Sequence, residues 1–285
     1  MAMETAAAVQ QISIAHSPDS DDAFMFYGLA TGKVTVPGYE FSHTLTDIET
    51  LNQKAMREAF YDVTAISFHA YPYVQDKYAL MPCGGSVGEG YGPMIVAKPG
   101  YSLDQVKKVR IAIPGKLTTA NLVLQMALPG VSTEVVPFDQ IIPQVLDGTF
   151  EAGLIIHEGQ LTYARDGLTC LLDMGTWWRE ETGLPLPLGG NAIRRDLGAP
   201  VHRMMNQALR DSVNYALHHR EEALAHAMQY ARDLDTPSAN RFVGMYVNER
   251  TLDYGDDGKN AIRRLLQMGH ERGVIPEAVH VDFAE

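Results

Sequence analysis

The side chain best suited to moving a proton in this chain is His157. It stands where the apolar run Ala152 to Ile156, a short buried strand, gives way to polar chain. In open α/β sheets the carboxyl ends of strands are where ligands bind, and imidazole exchanges a proton near neutral pH. His157 is therefore a candidate general base, set against the plainer role of a structural histidine at a strand end. Candidate ligand-holding groups occupy comparable places. Ser67 closes the run Val63-Thr-Ala-Ile-Ser67. Thr118 and Thr119 lead into a helix over Ala120 to Leu128, which offers hydroxyls and first-turn amides to a carboxylate, or an ordinary threonine cap. Asp22 suits sugar hydroxyls and helix capping equally well. Asn52 follows apolar helix positions and projects either into a cleft or into solvent. Glu158 is a possible orienter of His157, but neighbouring side chains on extended chain point apart, so a backbone carbonyl is the expected partner. His69, His202, His218, His219 and His226 read as solvated, and Trp177-Trp178 as packing rather than a stacking platform.

The elements that must position these groups follow from period and punctuation. Strands are expected over Ile12 to Ala15, Tyr39 to Leu45, Val63 to Ser67, Met94 to Ala97, Val109 to Ile113, Val131 to Val136 and Ala152 to Ile156. The cluster Ser17-Pro-Asp-Ser-Asp-Asp22 opens a helix over Ala23 to Ala30, closed by Gly32. Further helices are expected over Asp47 to Glu58, Asp139 to Leu146 (closed by Gly148), Val201 to His219, Glu221 to Asp233 and Gly258 to Arg272. His69 to Val74 begin a helix or turn. Gly84 to Pro93 is glycine-rich but lacks the Lys-Ser/Thr ending of a phosphate loop; it reads as a tight crossing or a ligand-facing loop. Leu184-Pro-Leu-Pro-Leu188-Gly-Gly190 reads as a stiff crossing. The pattern is an α/β region into which a second α/β region is inserted: residues 1–98 with 190–285 as one lobe, 99–189 as the other, hinged near 97–100 and 187–191.

Composition narrows the function classes. The chain has 285 residues, 46% hydrophobic and 20% charged, enough for one large or two medium domains. With 23 Lys+Arg against 35 Asp+Glu the formal net charge is −12, and no basic tract occurs, which argues against nucleic acid as a partner. Cys83 and Cys170 stand far apart and no Cys/His ligand spacing occurs, so no metal is expected. No apolar run is long enough to span a bilayer and Met1 to Gln10 lacks a secretory pattern, so a cytoplasmic protein, monomer or homodimer, is expected.

Several segments occur in an order that is specific as a set: Ser17-Pro-Asp-Ser-Asp-Asp22-Ala-Phe24, Asp47-Ile-Glu-Thr-Leu-Asn52, Tyr61-Asp-Val-Thr-Ala-Ile-Ser67, Gly88-Glu-Gly-Tyr-Gly-Pro93, Thr118-Thr-Ala120, Leu154-Ile-Ile-His157-Glu158 and Leu184-Pro-Leu-Pro-Leu-Gly189. Together they resemble the 1,4-dihydroxy-6-naphthoate synthases of the futalosine route to menaquinone, over nearly the whole chain. The resemblance implies a two-lobed, periplasmic-binding-protein-like (type II) α/β fold with a ligand cleft between lobes. It implies lysis of cyclic dehypoxanthine futalosine, a small anionic aromatic substrate, with no cofactor. It sets the proton acceptor at His157 and substrate contacts at Ala65, Ile66, Ser67, Thr119 and Ala120. Some members carry Lys where Ala65 stands, and Cys-Pro-Asn-Asp-Thr-Phe where Asp19 to Phe24 stand. A sister enzyme such as chorismate dehydratase, or a non-catalytic solute-binding protein of the same fold, is the alternative reading, and fold alone does not separate them.

Overall fold

The computed structural model describes residues 9–231 and 234–284. Among the described residues eleven strands form two sheets: β1 (Gln10–His16), β2 (Tyr39–Leu45), β3 (Val63–Ser67), β4 (Tyr78–Leu80), β5 (Ser86–Gly88), β6 (Met94–Ala97), β7 (Arg110–Ile113), β8 (Ser132–Val135), β9 (Ala152–Ile155), β10 (Thr169–Asp173) and β11 (Leu186–Arg194). The first sheet runs β2-β1-β3-β11-β4, with β5 also on β11; the second runs β10-β6-β9-β7-β8. Parallel pairs β1–β2, β1–β3, β7–β8 and β7–β9 are joined through helices. The strands that return from the other lobe run antiparallel: β11 on β3 and β6 on β9.

That pairing moves the lobe boundaries. β6 belongs to the second sheet, so the first crossing falls at 89–93, before the expected 97–100. The return precedes β11, which is already in the first sheet from Leu186, so it falls before the expected 187–191. The run 184–190 was expected as a stiff crossing because of its prolines and glycines. Most of it is strand instead: Gly189, Gly190 and Asn191 pair with Ser67, Ile66 and Ala65. Pro187 is accommodated beside an irregularity in the β5–β11 register, where a missing N–H is tolerated.

Helices form where capping and period agree. Asp47 caps Ile48–Glu58 by accepting from Thr50 N at 2.9 Å. The expected single helix over Ala23 to Ala30 is two short ones, Ser20–Met25 and Tyr27–Ala30, parted at Phe26. The expected Glu221 to Asp233 helix ends at Ala227, and Asp233 lies outside the described residues. The helices outside the expected set include Met174–Thr182 and Thr236–Tyr246. A core shared by both lobes ties the frame together: Ile66 and Phe68 of the first, Ile95 and Ile111 of the second, packed with Leu122 of helix Thr119–Ala127 and Leu265 of helix Gly255–Glu271. No helix of the described residues is long and apolar enough to cross a membrane.

Candidate active site

Between the sheets lies a cleft of about 780 Å³, its mouth included. Of the expected site residues, Asp22, Ala65, Ile66, Ser67, Thr118, Thr119, Ala120 and His157 line it. Asn52 does not. It is fully buried behind Ser67, where its Nδ2 donates to Ser67 Oγ (3.1 Å) and its Oδ1 accepts from Ser67 N (3.0 Å). It therefore fixes a cleft residue rather than facing the cleft itself. Its place about one turn into an amphipathic helix gave no hint of which wall it would meet.

His157 follows β9 after one loop residue, Ile156. Its backbone is left-handed (φ 52), a conformation non-glycine residues rarely hold and one that clusters at functional sites. Gln160 N donates to the His157 carbonyl at 3.1 Å, tightening the turn. The ring of Phe138 meets the imidazole edge-on at 5.1 Å between centroids. Phe138 opens helix Phe138–Asp147, which presses on β9 at Gly153; a Cβ there would lie 2.3 Å from Ile141 Cγ2.

The partner of His157 is neither Glu158 nor a backbone carbonyl. Its Nδ1 lies 3.4 Å from Asp19 Oδ2, which belongs to the opposite lobe and also accepts from Ser17 Oγ. Asp19 is fully buried at the start of helix Ser20–Met25, in the N-cap position, yet makes no capping bond. Glu158 instead accepts from Ser20 Oγ at 3.1 Å. Burial would push the imidazole down, but Asp19, Asp21, Glu158 and Asp22 together outweigh it and hold His157 above its ordinary range. Burial raises the Glu158 carboxyl to about 7, with Asp19 adding to the rise. Asp21 is likewise raised by burial, and Asp22 well above the carboxylate range by burial and then by Asp21.

A further wall, after β7 of the same sheet as β9, is the start of helix Thr119–Ala127. Thr118 caps it, accepting from Asn121 N at 3.2 Å, which leaves the Thr119 and Ala120 amides without intrahelical acceptors. His69 is not solvated: it is buried and driven down to about 4 by burial, and its Nδ1 lies 3.2 Å from the Thr118 carbonyl. His202 is buried too, with Nε2 2.8 Å from the Arg194 carbonyl. Trp178 is buried in the core, its Nε1 donating to Pro185 O at 2.9 Å, and neither tryptophan lines the cleft.

Residues not singled out from sequence complete the cavity. Phe242 and Tyr246 supply an aromatic wall from helix Thr236–Tyr246; Asp21, Ser86, Gln160 and Asn191 supply polar groups. The helix had a readable signal: Asp235 accepts from Ser238 N at 2.9 Å, Pro237 sits in the first turn, and Ala239, Phe242, Val243 and Tyr246 recur at helical spacing. Bonds join the lobes at two places. Tyr246 Oη donates to Gln160 Oε1 at 2.8 Å, and Leu117 N donates to Glu49 Oε2 at 3.2 Å. Among the described residues no Lys or Arg lines the cleft, and no cluster of metal-ligating side chains occurs.

Two α/β lobes around one deep cleft define a protein of the periplasmic-binding-protein-like fold class. The alkanesulfonate-binding protein of Xanthomonas axonopodis pv. citri, solved with MOPS, superposes with a TM-score of 0.71 at 14% identity, over 97% of this chain and 98% of that one; this likeness shows the fold. A crystallised protein of Archaeoglobus fulgidus is far nearer, with a TM-score of 0.89 and 48% identity over 93% of this chain and 98% of that one. The chain belongs to the menaquinone biosynthesis family, whose model matches residues 12–271. Relatives named 1,4-dihydroxy-6-naphthoate synthase are 41% identical in Thermus thermophilus (93% of this chain, 96% of that protein) and 39% identical in Streptomyces coelicolor (93% and 95%).

Proposed function

We propose that this chain is a carbon–carbon lyase of menaquinone biosynthesis that converts cyclic dehypoxanthine futalosine to 1,4-dihydroxy-6-naphthoate, with His157 as general base. The observation that carries the reading is the Asp19–His157 pair. A pure binding protein has no use for a left-handed imidazole set against a buried carboxylate from the other lobe. Asp19 fixes the tautomer: with the proton on Nδ1 directed at Asp19 Oδ2, Nε2 is the basic nitrogen. That nitrogen takes the proton whose loss accompanies ring opening and carbon–carbon cleavage. Oriented acid–base groups of this kind contribute about 10²–10⁴-fold.

The substrate's two ends fit two kinds of wall. The carboxylate end suits the Thr119 and Ala120 amides, where the helix dipole favours negative charge. The hydroxylated ring suits the acceptors around Asp19, Asp21 and Asp22. Phe242 and Tyr246 suit the aromatic part. The closed lobes keep water from the intermediate. With this reading goes a cytoplasmic enzyme rather than an exported receptor.

The test is turnover of the purified chain with cyclic dehypoxanthine futalosine, followed by mass spectrometry. Appearance of 1,4-dihydroxy-6-naphthoate, lost on His157→Gln, is expected. Tight binding without turnover would instead make this a solute-binding protein.

A further inference from the structure

One polar group of the cleft is used by neither the base, the carboxylates nor the helix start. Asn191 lies within β11, 2% exposed, in register with Ala65 of β3, and lines the cleft. Its carbonyl accepts from Met81 N at 2.8 Å, so its backbone is fixed. Its Nδ2 donates to the Gly84 carbonyl at 2.7 Å. That bond settles which way the carboxamide faces, because the flipped amide would set two oxygens at that separation. Gly84 is required for the arrangement: its φ is +75, and a Cβ there would lie 2.8 Å from Asn191 Nδ2 and 2.4 Å from Leu209 Cδ2. Two residues thus cooperate to present one oxygen. That oxygen, Asn191 Oδ1, is buried and meets no donor among the described residues; Asp19 Oδ1 is in the same condition. Buried acceptors nearly always have partners, so each of these needs an account. Among the described residues no Lys or Arg lines the cleft, so the hydroxyls of a ligand are donors suited to these oxygens.

We propose that Asn191 is a specificity-determining residue that selects a hydroxylated ligand, its Oδ1 accepting a hydrogen bond from a ring hydroxyl while Gly84 holds the carboxamide. The identity of the ligand rests on the lyase reading above. A ligand lacking that hydroxyl leaves the buried oxygen unpaired, which discriminates more sharply than a lost apolar contact. Asn191 then recognises the sugar end of the substrate, and Asp19 Oδ1, tied to the base, contributes the second acceptor.

The test is calorimetric titration in a His157→Gln background, so that binding is read without turnover. The ligands are cyclic dehypoxanthine futalosine and analogues each lacking one ring hydroxyl; the chains carry Asn191, Asn191→Ala or Asn191→Ser. With Asn191 the substrate binds about tenfold tighter than one of the analogues, the usual order for one hydrogen bond. Asn191→Ala removes that preference by weakening the substrate alone; Asn191→Ser gives the same reading should the alanine variant fail to fold. Equal weakening of all ligands, or a preference that survives both substitutions, overturns the proposal. Turnover by the unsubstituted chain decides the lyase reading separately. Loss of the preference without turnover upholds Asn191 and ends that reading; turnover with the preference intact does the reverse; binding of none of these compounds overturns both.

Discussion

Asp19 and His157 come from opposite lobes and meet at 3.4 Å, Oδ2 to Nδ1, with the carboxylate fully buried and the imidazole 19% exposed toward the cleft. On the proposed reading of His157 as general base, the base is complete only when the lobes are together. An enzyme built this way assembles its proton acceptor as it encloses its substrate, which couples chemistry to exclusion of water.

Replacing His157 by Gln therefore removes the proton acceptor while leaving the cleft walls in place. Turnover should fall about a hundredfold or more, with substrate affinity changed far less. Steady-state kinetics alongside titration with product checks this; near-normal turnover would place the base elsewhere.

Asp19→Asn gives a sharper readout, because it acts on the base through charge and orientation. The base works neutral, so the rate rises with pH through the pKa of His157, which the carboxylates hold above its ordinary value. Taking away one negative charge lets burial count for more. The acid limb of kcat/KM should move to lower pH, and the plateau should fall as the ring loses its tautomer control. A midpoint that stays in place assigns the limb to another group, Glu158 being the first to examine.

The same groups set the stability profile. Glu158 binds its proton near pH 7 in the folded chain and near 4.5 unfolded, and His157 is also raised on folding. Both therefore hold protons more tightly folded than unfolded. Their contribution is fully present below the unfolded pKa values and is lost as pH rises through the folded ones. Buried His16, His43 and His69, held down to about 3, 4 and 4, act the opposite way below their ordinary 6.5, so the Tm of the ligand-free protein should fall from about pH 6.5 to 8, and Glu158→Gln should flatten the fall. Thermal melts across that range measure it; a Tm rising with pH in the parent chain would show that the buried neutral histidines dominate.

Much of this site was legible in the sequence, and its gaps have physical causes. A strand-end histidine and a threonine-capped helix announce themselves because local rules, buried period and cap chemistry, fix their position. Asp19 was hidden by those same rules. It sits in a run of cap-forming residues and occupies an N-cap position, but its carboxylate turns to a histidine 138 residues away. Asn52 was hidden the other way: a polar residue on an amphipathic helix reads as facing either a cleft or solvent until the Ser67 strand end is placed against it. The crossing assigned to 187–191 failed because proline and glycine, normally breakers, here lie in a strand that pairs with β3, far upstream in the chain.

Lobe contact at Leu117 depends on a single glycine. Glu49 of one lobe accepts from Leu117 N of the other, and a Cβ on Gly115 would lie 2.4 Å from Glu49 Oε2 and 3.0 Å from its Cβ. Gly115→Ala should therefore hold the cleft ajar. Expected are a higher KM with a smaller change in kcat, and a radius of gyration in small-angle scattering that contracts less on adding product. Unchanged KM would mean that the carboxylate simply swings aside and that this contact does not govern closure.

The anionic end of the substrate provides the last prediction. The cleft holds several carboxylates and, among the described residues, no lining Lys or Arg, so the start of helix Thr119–Ala127 is the wall best suited to an acid. There the Thr119 and Ala120 amides and the helix dipole offer the compensating partial charge. Thr119→Ala removes a hydroxyl that already accepts from His69 N at 3.4 Å and leaves the amides, so it should weaken product binding by only about 1 kcal/mol. Thr119→Asp sets a carboxylate against the bound one and should weaken binding far more. Lys116, one turn earlier and outside the cleft lining, should matter little. Calorimetric titration of the three variants with 1,4-dihydroxy-6-naphthoate separates the possibilities. Should Lys116→Ala lose binding while Thr119→Asp keeps it, the carboxylate is held by a side-chain cation and the helix start is not the anion site.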